Sequence, residues 1–410
     1  MGQKKFAYRS LAVATLLALS TGGAHASGFS VPEISIAGTA MSNALVANHE
    51  LLGAIPYNPS LAAFHSGLTV AGGINVVHAE SEATPAGGTT VNFQGMDNVF
   101  IPTLQATYEL RDGVVLGFGT SVPFGLSTDY PTSAFAGTLG PNAPTRSKVE
   151  VIDIKPTVAF KLNPNTAVAV GVDYYWVREV VFDTAAVKNE GDGGDWGWNA
   201  SLSHVQGPFS IGASFHSRSE VDISGSTIIP GVSTGTASTS LVVPWRAQIG
   251  ARYEFSDALA MEFDISRIGW NSFDVLSISH TNPLVPVNPI TSTNNWKDAN
   301  AYRLGGSYQV DESLQLRFGY TYDETGQPMS LFSPRTADAD RHLFSIGLEK
   351  SLGDGLALEA SYMLVKFDDT TLASTAPTIP GEPNGSPAYN GTYETTVHLL
   401  GVGLSKRFDL

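Results

Sequence analysis

Gly231-Val232-Ser233-Thr234-Gly235 has the G-x-S-x-G spacing of a nucleophile elbow. In that motif a sharp strand-to-helix turn exposes a serine hydroxyl for acyl transfer. Here it sits in a Ser/Thr/Gly-rich run that reads as a loop, and the match is taken as fortuitous. The nine histidines are scattered, and His216, His342 and His398 fall on alternating stretches without metal-ligand spacing. The acidic pairs Asp338/Asp340 and Asp368/Asp369 could draw a divalent cation near lipopolysaccharide, but in polar runs they read as solvated loop charge. No nucleotide-binding signature is present, and neither enzyme activity, a metal nor a cofactor is expected.

The elements that carry these residues must span a bilayer or fold in water, and the first 26 residues bear on the compartment. Lys4, Lys5 and Arg9, an apolar stretch from Leu11 to Leu19, and Ala24-His25-Ala26 read as a secretory signal peptide. Its removal leaves 20 Lys and Arg against 38 Asp and Glu, a formal charge of -18. Nucleic acid is therefore not an expected partner. Beyond the signal no apolar run approaches the roughly 20 residues of a membrane helix. The absence of cysteine fits an exported chain without disulfides.

Periodicity then decides the fold class. In residues 314–323, Leu314, Leu316, Phe318, Tyr320 and Tyr322 share one face and Gln315, Arg317, Gly319, Thr321 and Asp323 the other. Residues 259–266 and 302–310 alternate in the same way. Six tight turns are read at 110–113, 162–166, 205–208, 255–258, 310–313 and 352–355, each built from Gly, Pro, Asn, Asp or Ser. They alternate with seven longer polar loops near 81–96, 129–146, 184–194, 225–240, 280–295, 325–338 and 370–391. Thirteen connections predict fourteen strands, with both chain ends on the short-turn side. That is the layout of an all-β, antiparallel, transmembrane β-barrel of the Gram-negative outer membrane, closed because lipid tolerates no unpaired edge. Tyr174, Tyr175, Trp176, Trp196, Trp198, Trp270 and Tyr362 are expected in its interfacial girdles. The inward charges Arg303, Arg317, Glu262, Asp264, Glu349 and Glu359 are expected to pair with one another or with whatever fills the lumen.

Residues 27–66 break the alternation. Ala37, Ala40, Ala44 and Ala47 are spaced as on a helix over 36–47, and Asn58-Pro59 suits an N-cap followed by the first turn of a second helix. The expected organisation is a signal peptide at 1–26, a partly helical plug, or hatch, at 27–66, and the barrel at 67–410.

The chain resembles the FadL-type transporters of long-chain fatty acids and aromatic hydrocarbons over essentially its whole mature length. The resemblance is carried by Asn58-Pro59, Phe100-Ile101-Pro102-Thr103-Leu104, Pro123-Phe124-Gly125-Leu126-Ser127-Thr128, Ile154-Lys155-Pro156-Thr157-Val158-Ala159, Gly197-Trp198-Asn199-Ala200, Arg218-Ser219-Glu220-Val221, Tyr302-Arg303-Leu304-Gly305, Arg317-Phe318-Gly319-Tyr320 and Asp338-Ala339-Asp340-Arg341. It implies passive import of a hydrophobic compound: capture at an external groove, passage to a pocket touching the mature N-terminus, and lateral exit through a kinked third strand. The candidate residues are then Asn58 and Pro59 in the hatch, Ser27, Gly28 and Phe29 as ligand contacts, and Pro123, Phe124 and Gly125 at the portal. Phe135, Leu139, Ile228, Ile229 and Val232 are groove candidates, because the loop at 183–195 is shorter than in familiar members. A general porin for small hydrophilic solutes is the alternative. The implied partners are the hydrophobic ligand and outer-membrane lipids including lipopolysaccharide, and a monomer is expected.

Overall fold

The computed structural model describes residues 28–95, 98–379 and 381–408. The expected signal peptide and Ser27 lie outside them. Fourteen antiparallel strands form one closed barrel. They are β1 (Leu68–Pro85), β2 (Val99–Arg111), β3 (Val114–Asp129), β4 (Pro144–Asn163), β5 (Thr166–Thr184) and β6 (Lys188–Gln206). β7 (Phe209–His216 and Ser219–Ile229), β8 (Ser233–Val243 and Arg246–Glu254), β9 (Leu259–Ile268 and Val275–His280) and β10 (Ile290–Thr293 and Ala299–Asp311) each run in two pieces. β11 (Leu314–Asp323), β12 (Arg341–Gly353), β13 (Leu356–Phe367) and β14 (Gly391–Phe408) complete the ring. β14 pairs with β1 from Leu68↔Phe408 to Pro85↔Gly391, which closes the ladder and leaves no terminal edge for lipid to meet. No helix among the described residues is long and apolar enough to cross a membrane.

The period-two reading sets which side chains meet lipid. Leu316, Phe318 and Tyr320 are exposed on the outer wall while Arg317 between them is buried inside. All six tight turns fall between strands as read, but two of the seven loops do not exist as loops. Residues 184–194 and 225–240 are mostly hairpin, since β5 and β6 are separated by three residues and β7 and β8 by another three. These extensions are rich in Gly, Ser and Thr because strands standing beyond the bilayer need no apolar face. Their small residues also permit close pairing: a Cβ on Gly225 would lie 1.8 Å from the Glu190 carbonyl oxygen. Of the residues expected in the girdles, Trp176, Trp196 and Trp198 are exposed, whereas Tyr175 and Trp270 are fully buried and cannot belong to one. Tyr175 alternates with its outward neighbours, and Trp270 sits in the break between the two pieces of β9.

Residues 28–66 lie inside the barrel. Helix α1 covers only Ile36–Ala40 of the stretch read as helical over 36–47, because Ser42 and Asn43 adopt positive φ and turn the chain. A 3-10 turn over Pro59–Phe64 starts at the Asn58 cap, as its sequence suggests. The barrel makes room and supplies partners. Cβ atoms added at Gly212 or Gly319 would meet the Val46 oxygen at 1.9 Å or the Met41 backbone at 2.4 Å. Asp264 accepts the Leu45 and Val46 amides at 2.9 and 3.1 Å, and Glu262 accepts that of Ala47 at 2.6 Å. Arg317 pairs with Glu359 at 2.5 Å and with Glu349.

Candidate transport site

Asn58 joins the N-terminal segment to the wall. Its amide donates to the Val46 carbonyl at 2.7 Å and to the Leu202 carbonyl of β6 at 3.1 Å, while its oxygen accepts from the Ser60 amide and hydroxyl. Pro59 occupies the first turn, where its missing N–H is no loss.

At the other end of the segment, Phe29–Val31 runs beside β3. β3 carries a bulge in which Val122 and Pro123 together oppose a single residue of β4, with the register passing from Ser121↔Asp153 to Phe124↔Val151. Proline has no amide for a ladder, and a bulge turns the strand away from its neighbour. The β2–β3 ladder accordingly stops at Leu104↔Thr120. Beyond that point Val99–Thr103 of β2 pairs with β1 alone, and the freed edge of β3 is taken by the N-terminal segment. The Val31 amide donates to the Pro123 carbonyl at 2.8 Å and the Gly125 amide to the Phe29 carbonyl at 2.9 Å. Above the gap the Asp129 amide reaches the Phe93 carbonyl at 2.8 Å. The result is a window in the wall, bounded below by Leu104 and Thr120 and above by Phe93 and Asp129.

Behind the window lies a cavity of about 740 Å³. Its far wall is aliphatic: Val77, Leu343, Val365, Val397 and Leu399 face it together with Phe367. Barrel lumens are ordinarily polar, so this patch marks a place adapted to apolar matter. Its sequence signal is a continuous apolar run, Met363-Leu364-Val365, in a strand that elsewhere alternates, and period-two reasoning passes over it.

The near side is the Phe29 ring, seated in an aromatic box. Its centroid is 4.6 Å from Trp270, 5.5 Å from Phe273, 6.1 Å from Phe124 and 6.2 Å from Trp296. The structure thus brings Gly28, Phe29, Pro123, Phe124 and Gly125 to one place. The Gly28 amide donates to Asp338 at 3.1 Å, and the Thr325 hydroxyl donates to the same carboxylate. Asp338 is buried, contrary to its reading as solvated loop charge, and burial pushes its carboxyl up to about 6. Burial likewise raises Glu33, which lines the cavity and accepts from Asn43 at 2.9 Å.

The outer end carries a cap of aromatic side chains. Phe93 stacks on Tyr130 at 4.8 Å, Tyr130 meets Phe135 at 5.2 Å, and Phe135 meets Tyr389 at 5.4 Å. Leu139 packs against this cluster. Ile228 and Ile229 lie instead at the tip of the β7–β8 hairpin, and Val232 there is exposed, so the five groove candidates are not gathered at one place. Ser233 is on the same hairpin and donates to Asn282 at 2.9 Å, so no strand-turn-helix surrounds it. His216 contacts Asp173 at 3.0 Å inside the barrel, while His342 and His398 bond Tyr320 and Tyr362 at 2.8 and 2.9 Å. His49, Glu50 and Glu254 come close enough to share a metal ion, but Arg252 pairs with both glutamates and already supplies the positive charge.

A closed fourteen-strand barrel, its lumen occupied by the N-terminal segment and its wall broken beside an apolar cavity, defines an outer-membrane transport protein rather than an enzyme. The family model described as outer membrane protein transport protein (OMPP1/FadL/TodX) matches residues 17–408, and the chain belongs to that family. It is 23% identical to outer membrane protein P1 of Haemophilus influenzae over 88% of this chain and 90% of that one. A Pseudomonas aeruginosa FadL homologue superposes with a TM-score of 0.77 at 16% identity, covering 93% of this chain and 100% of that one. The Ralstonia pickettii toluene transporter TbuX follows at 0.70 and 16% identity, covering 92% and 98%. The chain is a protein of the Gram-negative outer membrane.

Proposed function

We propose that the chain imports hydrophobic compounds, long-chain fatty acids or related hydrocarbons, passively across the outer membrane. A molecule is captured among the external loops and enters the lumen cavity. It then passes the hatch and the Phe29 gate and leaves sideways through the window beside the kinked third strand. The observation that carries this reading is the aliphatic far wall of a 740 Å³ cavity lying behind a break in the barrel. That volume falls in the range that encloses most of a small ligand. Each methylene buried there contributes roughly 0.8 kcal/mol, enough to draw a chain-like solute from water without an energy source.

The Asn58 and carboxylate contacts support the hatch as a fixed plug, while Phe29 is the part of the segment a ligand has to displace. A general porin needs a standing water column, which a lumen filled by residues 28–66 disfavours. The test pairs two readouts on purified protein: uptake of a labelled fatty acid or alkylbenzene into liposomes, and single-channel conductance. Saturable uptake with little steady conductance is expected. A large steady conductance with no hydrophobe uptake would establish the porin instead.

A further inference from the structure

The charges around the cavity are unequally matched. Three cations line it, Lys148, Arg178 and Arg341. Each already holds a carboxylate: Lys148 meets Glu179 at 2.6 Å, Arg178 meets Glu150 at 3.0 Å, and Arg341 meets Asp323 at 2.8 Å. The first two stand at the outer mouth, leaving Arg341 as the interior cation. The interior carboxylates Glu33 and Asp338 accept hydrogen bonds from neutral donors, namely Asn43, the Gly28 amide and Thr325, and share the charge of Arg341 with Asp323. An anionic head group inside would lose its hydration for one cation that three carboxylates already surround, and would lie beside two of those acids.

Neutral donors, by contrast, stand idle. The indole nitrogens of Trp270 and Trp296 are buried in the box that holds Phe29, and neither has a hydrogen-bond partner. An unpaired buried N–H carries a cost that a ligand oxygen would relieve. Both rings crowd the N-terminal segment, but only Trp270 turns its nitrogen edge to it: a Cβ on Gly28 would lie 3.0 Å from Trp270 Cε2, the carbon bonded to Nε1, and 2.3 Å from Trp296 Cζ3, on the edge of that ring away from its nitrogen. A ligand that displaces this segment therefore meets the Trp270 N–H.

We propose that the site selects uncharged hydrophobes bearing a hydrogen-bond acceptor, such as long-chain ketones, esters or alcohols, over ionised carboxylates and over bare hydrocarbons. This rests on the transport reading above and narrows it within hydrophobic compounds, setting ionised fatty acids and bare hydrocarbons below neutral chains that carry an acceptor. Glu33 and Asp338 disfavour the anion, and the Trp270 indole recognises the acceptor.

The test measures saturable binding of decan-2-one, decanoate and decane to the full chain in nanodiscs at about pH 8, where the acid is ionised, after subtraction of binding to empty nanodiscs. Decan-2-one is expected to bind about ten-fold tighter than decanoate and several-fold tighter than decane. Glu33→Gln should strengthen decanoate binding, and Trp270→Phe should bring decan-2-one down to the level of decane while leaving decane unchanged. Saturable binding with decanoate equal or preferred overturns the selectivity and leaves the transport reading standing. Equal binding of decan-2-one and decane overturns the role of the indole. No saturable binding of any of the three removes the transport reading and this inference with it.

Discussion

Asn58 contacts four groups at once, two on the hatch backbone or wall and two on Ser60, and is fully buried. Asn58→Ala removes the cap and leaves the buried Val46 carbonyl without this donor, so a loss of about 2–4 kcal/mol in hatch docking is expected. Hydrogen exchange over residues 36–64 reads it directly, with faster exchange there and unchanged protection in the strands. Asp338 gives a second expectation. Its folded-state pKa of about 6 lies above the usual 3.8, so the folded chain holds that proton more tightly. The associated stability is complete below about pH 4 and is lost as pH rises through about 6. Stability should therefore fall across that interval, by on the order of 3 kcal/mol for this group, and Asp338→Asn should flatten that part of the profile. An unchanged profile would show that the carboxyl is not the titrating group.

At the scale of the element, the hatch is seated because the inner faces of several strands carry glycine where it passes. Gly319→Val would drive a side chain into the Met41 backbone, 2.4 Å from the added Cβ. The strand pairings of β11 do not depend on that side chain, so a folded barrel with a displaced hatch and raised ion leak in planar bilayers is expected; unchanged leak would argue against a plug. The strands themselves were legible from alternation, and the six short turns from their Gly, Asn, Asp and Ser content. What alternation could not register were strands with both faces in water. The hairpins formed by 184–194 and 225–240 look like loops because the usual apolar face is absent. The inner aliphatic wall escaped for the opposite reason, since Val365 and Leu399 are apolar on a face where the pattern assigns polar residues. Asp338 was misread because a loop that folds back over the N-terminus buries a charge that composition places in solvent.

For the whole molecule, the sequence carried the closed barrel, the Asn58-Pro59 cap and the Pro123 break, and in the structure one N-terminal segment carries the cap and meets the break. The register shift at Val122–Pro123 frees an edge, and residues 29–31 occupy it. The segment that lies in the lumen also stitches the broken wall, so displacement of Phe29 would free the edge of β3 while the Asn58 contacts stay in place. The aromatic cap over the external end, built from residues as distant as Phe93, Phe135 and Tyr389, could not be assembled from spacing alone because its members come from separate loops.

The most direct measurement fills the window without disturbing the fold. Gly125 is on its margin, its backbone is not left-handed, and the nearest atom to an added Cβ is Val31 Cγ2 at 3.6 Å, so a side chain can start there, and Gly125→Trp would send an indole into the cavity that Gly125 lines. Uptake of a labelled hydrophobe into proteoliposomes should fall about ten-fold or more with the barrel intact by heat-modifiability, because an obstructed path loses the apolar lining that draws the ligand through. Uptake at the wild-type rate in the folded Gly125→Trp protein would contradict lateral exit through the wall.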